Sequence, residues 1–240
     1  MESPAYFLPA HVRVRAIQDQ AFFLDLKRNQ YLATSLHELK GLSQVVNGWP
    51  ADLDDGDTQN DRVERDIETT LADLARNHLL SRRPSRARGS SALLCPPAQK
   101  TLLEQSVTSY PPVCVHHLLS FLKATLTTGY YLSLRSLHST VRRIERRRVR
   151  STATTLDFAA ARRLVDVFRR MRPLLPTVRA PCLVNSIALI EFLAAHGQFP
   201  MLVFGVQAHP FIAHCWVQHA DVVLNSTLEE VVPFTPMMVA

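Results

Sequence analysis

Between residues 12 and 35, apolar and polar positions alternate in three short runs, VRVRAI (12–17), AFFLDL (21–26) and QYLATS (30–35). Alternation at period two predicts half-buried strands, and Gln18-Asp19-Gln20 and Lys27-Arg28-Asn29 supply the turns of an antiparallel meander. From Ser35 the period changes. Leu36, Leu39, Leu42, Val45 and Val46 stand at helical spacing, and Ser35 with Glu38 has the form of a capping box. The spacing predicts a helix ending near Asn47-Gly48, then an acidic, turn-rich loop, DLDDGDTQND (52–61). Val63, Ile67, Leu71, Leu74 and Leu79/Leu80 mark a second amphipathic helix. Strands followed by helices over residues 1–82 predict a winged-helix-like module.

Residues 83–111 are rich in proline, serine and arginine without periodicity, which predicts a linker. From 112 to about 172, HHLLSFLKATLTTGYYLSLRSLHSTVRRIERRR and LDFAAARRLVDVFRRMRPLL repeat apolar positions three and four apart. Helix then gives way to strand in MLVFGV (201–206), FIAHCWVQ (211–218) and DVVLN (221–225). Helices before strands make residues 112–240 an α+β domain.

Composition narrows the classes. Apolar residues make up 47% of the 240, and 7 glycines against 15 prolines favour helices over an all-β design. The four cysteines, Cys95, Cys114, Cys182 and Cys215, include no CxxC pair, which argues against a disulfide framework and a zinc site. The N-terminus lacks signal-peptide order and no apolar run approaches the roughly 20 residues of a membrane span, so the expected location is cytoplasmic. The net charge of +6 is concentrated in arginines between 82 and 172, which suggests an acidic partner. In VRRIERRRVR (141–150) the arginines fall on several faces without interleaved aromatics, so a solvated or docking helix outweighs nucleic-acid binding. His116, His117, His196 and His209 lack metal-ligand spacing, and no glycine-rich phosphate loop occurs; neither metal nor cofactor is expected.

Two residues carry candidate chemistry. In APCLVNSIALIEFLAAHG (180–197), Pro181 suits a first helical turn and Gly197 a C-terminal stop, placing Cys182 at a helix start. Unpaired backbone N–H groups there favour an anion, and the anion of a thiol is its nucleophilic form. On position alone, a small buried cysteine reads equally well. His214 lies in the strand FIAHCWVQ, where alternation puts His214, Trp216 and Gln218 on one face and Cys215 on the other. This disfavours a joint metal site of His214, Cys215 and His219. A cysteine heading a helix and a histidine on a packed strand fit a nucleophile and its base.

Cys182 at its helix start, GVQAHPF (205–211) and His214-Cys215-Trp216-Val217 together resemble the lasso-peptide B proteins. The resemblance spans about 112–240, and VRVRAI…FFLDLKRNQYLATS resembles the leader-recognition domain fused to many of them. It implies a transglutaminase-like (papain-like) cysteine protease that removes the leader of a ribosomal precursor peptide. Cys182 would be the nucleophile and His214 the base. The family has an Asp one residue after an Asn on the next strand; here Asn225 matches the Asn and Ser226 stands where the Asp belongs. Ser226 and Asn225 both remain candidates for the third member, with Asp221 behind them at a hairpin turn. The implied partners are the precursor's leader and an ATP-dependent, asparagine-synthetase-like lasso cyclase. Tyr31, Leu32, Ala33 and Thr34, if they form an edge strand, would pair with the leader, backed by Ile67, Leu71 and Leu74. The same residues of the second helix read equally as core. Two other classes remain: a leader-binding chaperone with an impaired protease domain, and a basic winged-helix nucleic-acid binder.

Overall fold

The computed structural model describes residues 6–50, 53, 62–84, 95–103, 111–151, 156–174 and 181–240. Val63's side chain, most of the acidic loop and much of the expected linker lie outside the described residues. The chain divides into two compact units, Met1–Leu93 and Leu94–Ala240.

In the first unit, β1 (Tyr6–Phe7) precedes the meander of β2 (Val12–Ile17), β3 (Gln20–Asp25) and β4 (Gln30–Ser35). The sheet order is β2-β3-β4, with Val14 opposite Phe23 and Phe23 opposite Leu32. The β3–β4 turn is held by the buried Asp25 carboxylate, which accepts from the Lys27 and Arg28 backbone N–H groups at 2.8 and 3.3 Å. Val14, Ala21 and Phe23 face a core closed by Leu39, Leu42, Leu71, Leu74, Leu79 and Leu80.

The helix expected from Ser35 onward is broken. A 3-10 turn, Leu36–Leu39, leads to the short α1 (Leu42–Val45), and Val46–Asn47 is β5, paired parallel with β1. The break lies at Gly41, whose φ of +78° is left-handed and whose absent Cβ would stand 3.0 Å from the Ile67 side chain. The capping box does not close: Ser35 Oγ accepts from His37 N, while the Glu38 carboxylate takes the Thr34 hydroxyl. The second helix, α2 (Arg62–Arg76), ends before Leu79 and Leu80, which are buried beyond it.

In the second unit, α3 (Val115–Leu134), α4 (Leu137–Arg150) and α5 (Phe158–Met171) precede α6 (Pro181–Ala195). Then come β7 (Met201–Gln207), β8 (Ile212–His219), β9 (Val222–Val223) and β10 (Thr235–Val239). With β6 (Lys100–Thr101) they form one sheet in the order β10-β7-β8-β9-β6. Three features depart from the sequence reading. Residues assigned to the linker contribute β6, paired parallel with β9, and the strand expected over 221–225 pairs only at Val222 and Val223. β10 adds an unexpected strand against β7.

The core of this unit centres on α6. Leu183, Ile187, Leu189, Ile190, Phe192 and Leu193 are all buried, as a helix apolar on every side requires. Burying each such side chain stabilises the fold by about 1.5–3 kcal/mol. The helix carries one buried carboxylate, Glu191, clamped by Arg143 at 2.7 Å and Arg147 at 2.6 Å. Two arginines of the basic run are thus ion-paired, while Val141 and Ile144 are core. Among the described residues, no helix is long and apolar enough to cross a membrane.

Candidate active site

The site is built where the first turns of α6 meet β8. Pro181 opens α6 and needs no N–H donor there; Gly197, at φ +75°, ends it as Gln198 N–H donates to Leu193 C=O at 3.0 Å. Cys182 lies in the first turn and is half-buried. One turn on, Ser186 is fully buried and its hydroxyl donates to the Cys215 backbone carbonyl at 2.9 Å. This bond ties the helix to the strand at the residue after His214. Burial above all pushes the Cys215 thiol well up, with neighbouring Cys182 acting in the same direction, and so keeps it protonated.

His214 projects from the other face of β8. Its ring stacks on Trp216 with centroids 5.8 Å apart and meets Phe234 at 5.2 Å. Trp216 can lie beneath it because residue 205, opposite His214 on β7, is glycine: a Cβ there would be 2.7 Å from the indole ring. Trp216 Nε1 donates to the buried Gln218 amide at 2.8 Å, so His214, Trp216 and Gln218 share a face. Burial pushes the His214 pKa below its ordinary 6.5, and the Glu230 carboxylate partly opposes this.

Asn225 and Ser226 diverge. Ser226 is buried and its Oγ lies 3.3 Å from His214 Nε2. Its carbonyl accepts from Thr101 Oγ1 at 2.7 Å, so β6, from the supposed linker, braces this corner. Asn225 turns the other way: Oδ1 accepts from Val217 N at 2.8 Å and Nδ2 donates to Ser186 Oγ at 2.9 Å. Asp221 occupies the β8–β9 turn with Ala220 and pairs with Lys100 at 3.5 Å.

The histidine–cysteine cluster of the sequence separates in space. Cys215 faces α6, and His219, at the far end of β8, packs edge-on against Phe158 at 5.4 Å. His116, His117 and His196, which looked unrelated in sequence, converge with ring centroids 5.0–6.4 Å apart. Among the described residues no group of His, Cys, Asp or Glu is arranged to hold a metal ion.

Residues 124–239 match the model of the transglutaminase-like superfamily. The second unit carries a transglutaminase-like domain. That superfamily includes cysteine peptidases and transglutaminases. The matched span of the transglutaminase-like domain contains Cys182, His214, Asn225 and Ser226. No curated protein and no solved structure matches the chain.

The first unit places the other predicted residues on two elements. Tyr31, Leu32, Ala33 and Thr34 lie in β4, which among the described strands pairs only with β3. Leu71 and Leu74 are buried in the core, and Ile67 is half-buried against it. Ser186 and Phe234 escaped the sequence reading, and Gly205 entered it only as part of GVQAHPF, without a role. Ser186 had a signal, being a polar residue four after Cys182 in an apolar helix; Phe234 had none, because it reaches the site through a loop.

Proposed function

We propose that the protein is a cysteine peptidase that binds the leader of a ribosomally made lasso-peptide precursor and cleaves leader from core before macrolactam closure. The observation that carries this reading is the placement of Ser226 Oγ on His214 Nε2, where the family resemblance expects the third member, in a transglutaminase-like domain with Cys182 at a helix start. With Nε2–H donating to Ser226, Nδ1 is the unprotonated nitrogen, the one this reading requires to accept the thiol proton.

The Cys182 thiol proton passes to His214 Nδ1 as the sulfur adds to the scissile carbonyl. The tetrahedral intermediate collapses, expelling the core's amine, which takes that proton, and leaving the leader as a thioester on Cys182. Water then attacks the thioester with His214 again accepting the proton; the leader leaves as its carboxylic acid and the thiol is restored. Ser226 orients the ring but brings no charge.

Leader recognition belongs to β4 in this reading. Its outer edge offers backbone groups for an added strand, with Tyr31, Leu32, Ala33 and Thr34 flanking it and Ile67 at the rim; Leu71 and Leu74 support from the core. The ATP-dependent, asparagine-synthetase-like cyclase is the proposed second partner, by the family resemblance.

The neutral side chain at position 226 favours a second reading, a leader-binding chaperone whose protease domain no longer cuts. Mass spectrometry of precursor peptide incubated with protein separates them. The peptidase reading predicts leader and core fragments with wild type, and intact but bound precursor with Cys182→Ala. Binding without fragments from either supports the chaperone.

A further inference from the structure

The loop after Ser226 leads from one contact of His214 to another. Ser226 touches Nε2 and Phe234 meets the ring, and Glu230 lies midway, four residues from each. Backbone bonds from Val231 and Val232 to Leu228 C=O, at 3.0 and 2.8 Å, and from Phe234 to Val231 C=O, at 3.0 Å, fold the loop into tight turns. Glu230 is locked within it: its Oε2 accepts from Thr227 N at 3.0 Å, and its own N–H donates to Thr227 Oγ1 at 3.2 Å. This reciprocal pair holds the carboxylate on Thr227, the residue after Ser226, whose Oγ lies 3.3 Å from His214 Nε2.

Resting on the peptidase reading, we propose that Glu230 is a positioning residue that supplies the negative charge for the His214 imidazolium, dividing the third member's work with Ser226. Ser226 holds the ring by a hydrogen bond; Glu230 stabilises its cation through space. The other groups around His214 do not serve. Gly205 stands opposite on β7 with no side chain, Trp216 and Phe234 are uncharged, and Cys215 is a protonated thiol on the other face of β8. Cys182, from α6, is the proton donor itself, and Glu229 is exposed on the same loop without Glu230's bonds to Thr227. The direction of Glu230's influence on His214 agrees: it favours the cation, against the larger effect of burial. Glu230 is itself exposed, so the effect is modest and is screened by salt.

The test is an NMR titration of the His214 imidazole in the full chain, alongside precursor cleavage. Glu230→Gln keeps an oxygen for Thr227 N–H while removing the charge. It is expected to move the His214 titration to lower pH and reduce kcat/KM about two- to five-fold at low salt, the range of an exposed charge pair. Glu230→Lys is expected to move the titration further the same way. In a Ser226→Asp background, Glu230→Gln is expected to have a smaller effect, because the charge is already present. An unchanged His214 titration in folded Glu230→Gln and Glu230→Lys proteins overturns the proposal. The peptidase reading fails separately: a shifted titration with no precursor cleavage upholds the charge assignment and rejects the enzyme.

Discussion

His214 Nε2 and Ser226 Oγ lie 3.3 Å apart, while Asn225, the adjacent residue, sends its amide to Ser186 and to the backbone of Val217. Two residues indistinguishable by sequence position therefore make different contacts: one holds the imidazole, the other pins the strand to the helix that carries Cys182.

Ser226 variants test the first contact. Ser226→Ala removes one neutral hydrogen bond, so kcat/KM for precursor cleavage should fall about two- to ten-fold. Ser226→Asp restores charge at the family's position. It should raise the rate about five-fold, from the stronger charge-assisted bond, and move the acid limb of the pH–rate profile upward, because a carboxylate favours the imidazolium. An aspartate variant no faster than wild type contradicts a weakened third position.

Asn225→Ala tests the second. It strands the Val217 N–H and a Ser186 hydroxyl bond inside the domain, and should destabilise it by about 1–3 kcal/mol in urea denaturation. The His214 titration should stay where it is. A shifted titration with unchanged stability would assign Asn225 the orienting role instead.

Gly205→Ala tests the floor of the site. The added Cβ would meet the Trp216 ring at 2.7 Å and Phe234 Cβ at 3.0 Å, so the indole beneath His214 must shift. Overpacking of this kind costs about 1–3 kcal/mol, and the displaced Trp216 should carry His214 with it. Calorimetry and cleavage should both register the change; a neutral substitution would mean that the stack does not position the imidazole.

The pH dependence of stability follows from four histidines. Burial holds His11, His196, His214 and His219 below their ordinary 6.5, and at His196 the charges of His116 and His117 add to it. Well above pH 6.5 both folded and unfolded chains carry them neutral and the stability is whole. As pH falls below 6.5 the unfolded chain takes up protons first, so stability declines until the folded-state values are passed. The melting temperature should therefore drop between about pH 7.5 and 5.5, and His196→Gln should show a smaller drop. An equal drop in that variant would exclude the three-histidine cluster as a contributor.

Much of the architecture was legible because periodicity is local. The meander 12–35, α2 and the run from α6 to β8 all appear where alternation or helical spacing put them. Leu36–Val46 kept helical spacing yet broke, because Gly41's left-handed backbone and Ile67's approach come from the tertiary fold. Strand alternation correctly separated Cys215 from His214, but no local pattern could order Asn225 against Ser226. After Leu224, whose N–H still donates to Val217 C=O at 2.8 Å, the chain leaves the ladder, and face alternation no longer determines direction. β6, β10 and Phe234 reach the site from segments without period, so they had no signature to read.

The most direct measurement is the intact mass of the protein, acid-quenched during turnover of its precursor peptide and mapped by digestion. The mechanism predicts a transient adduct with the mass of the leader acyl group, joined as a thioester at Cys182 and absent from Cys182→Ala. Cleavage by Cys182→Ala as by wild type, or an adduct at Cys95, Cys114 or Cys215, would contradict it.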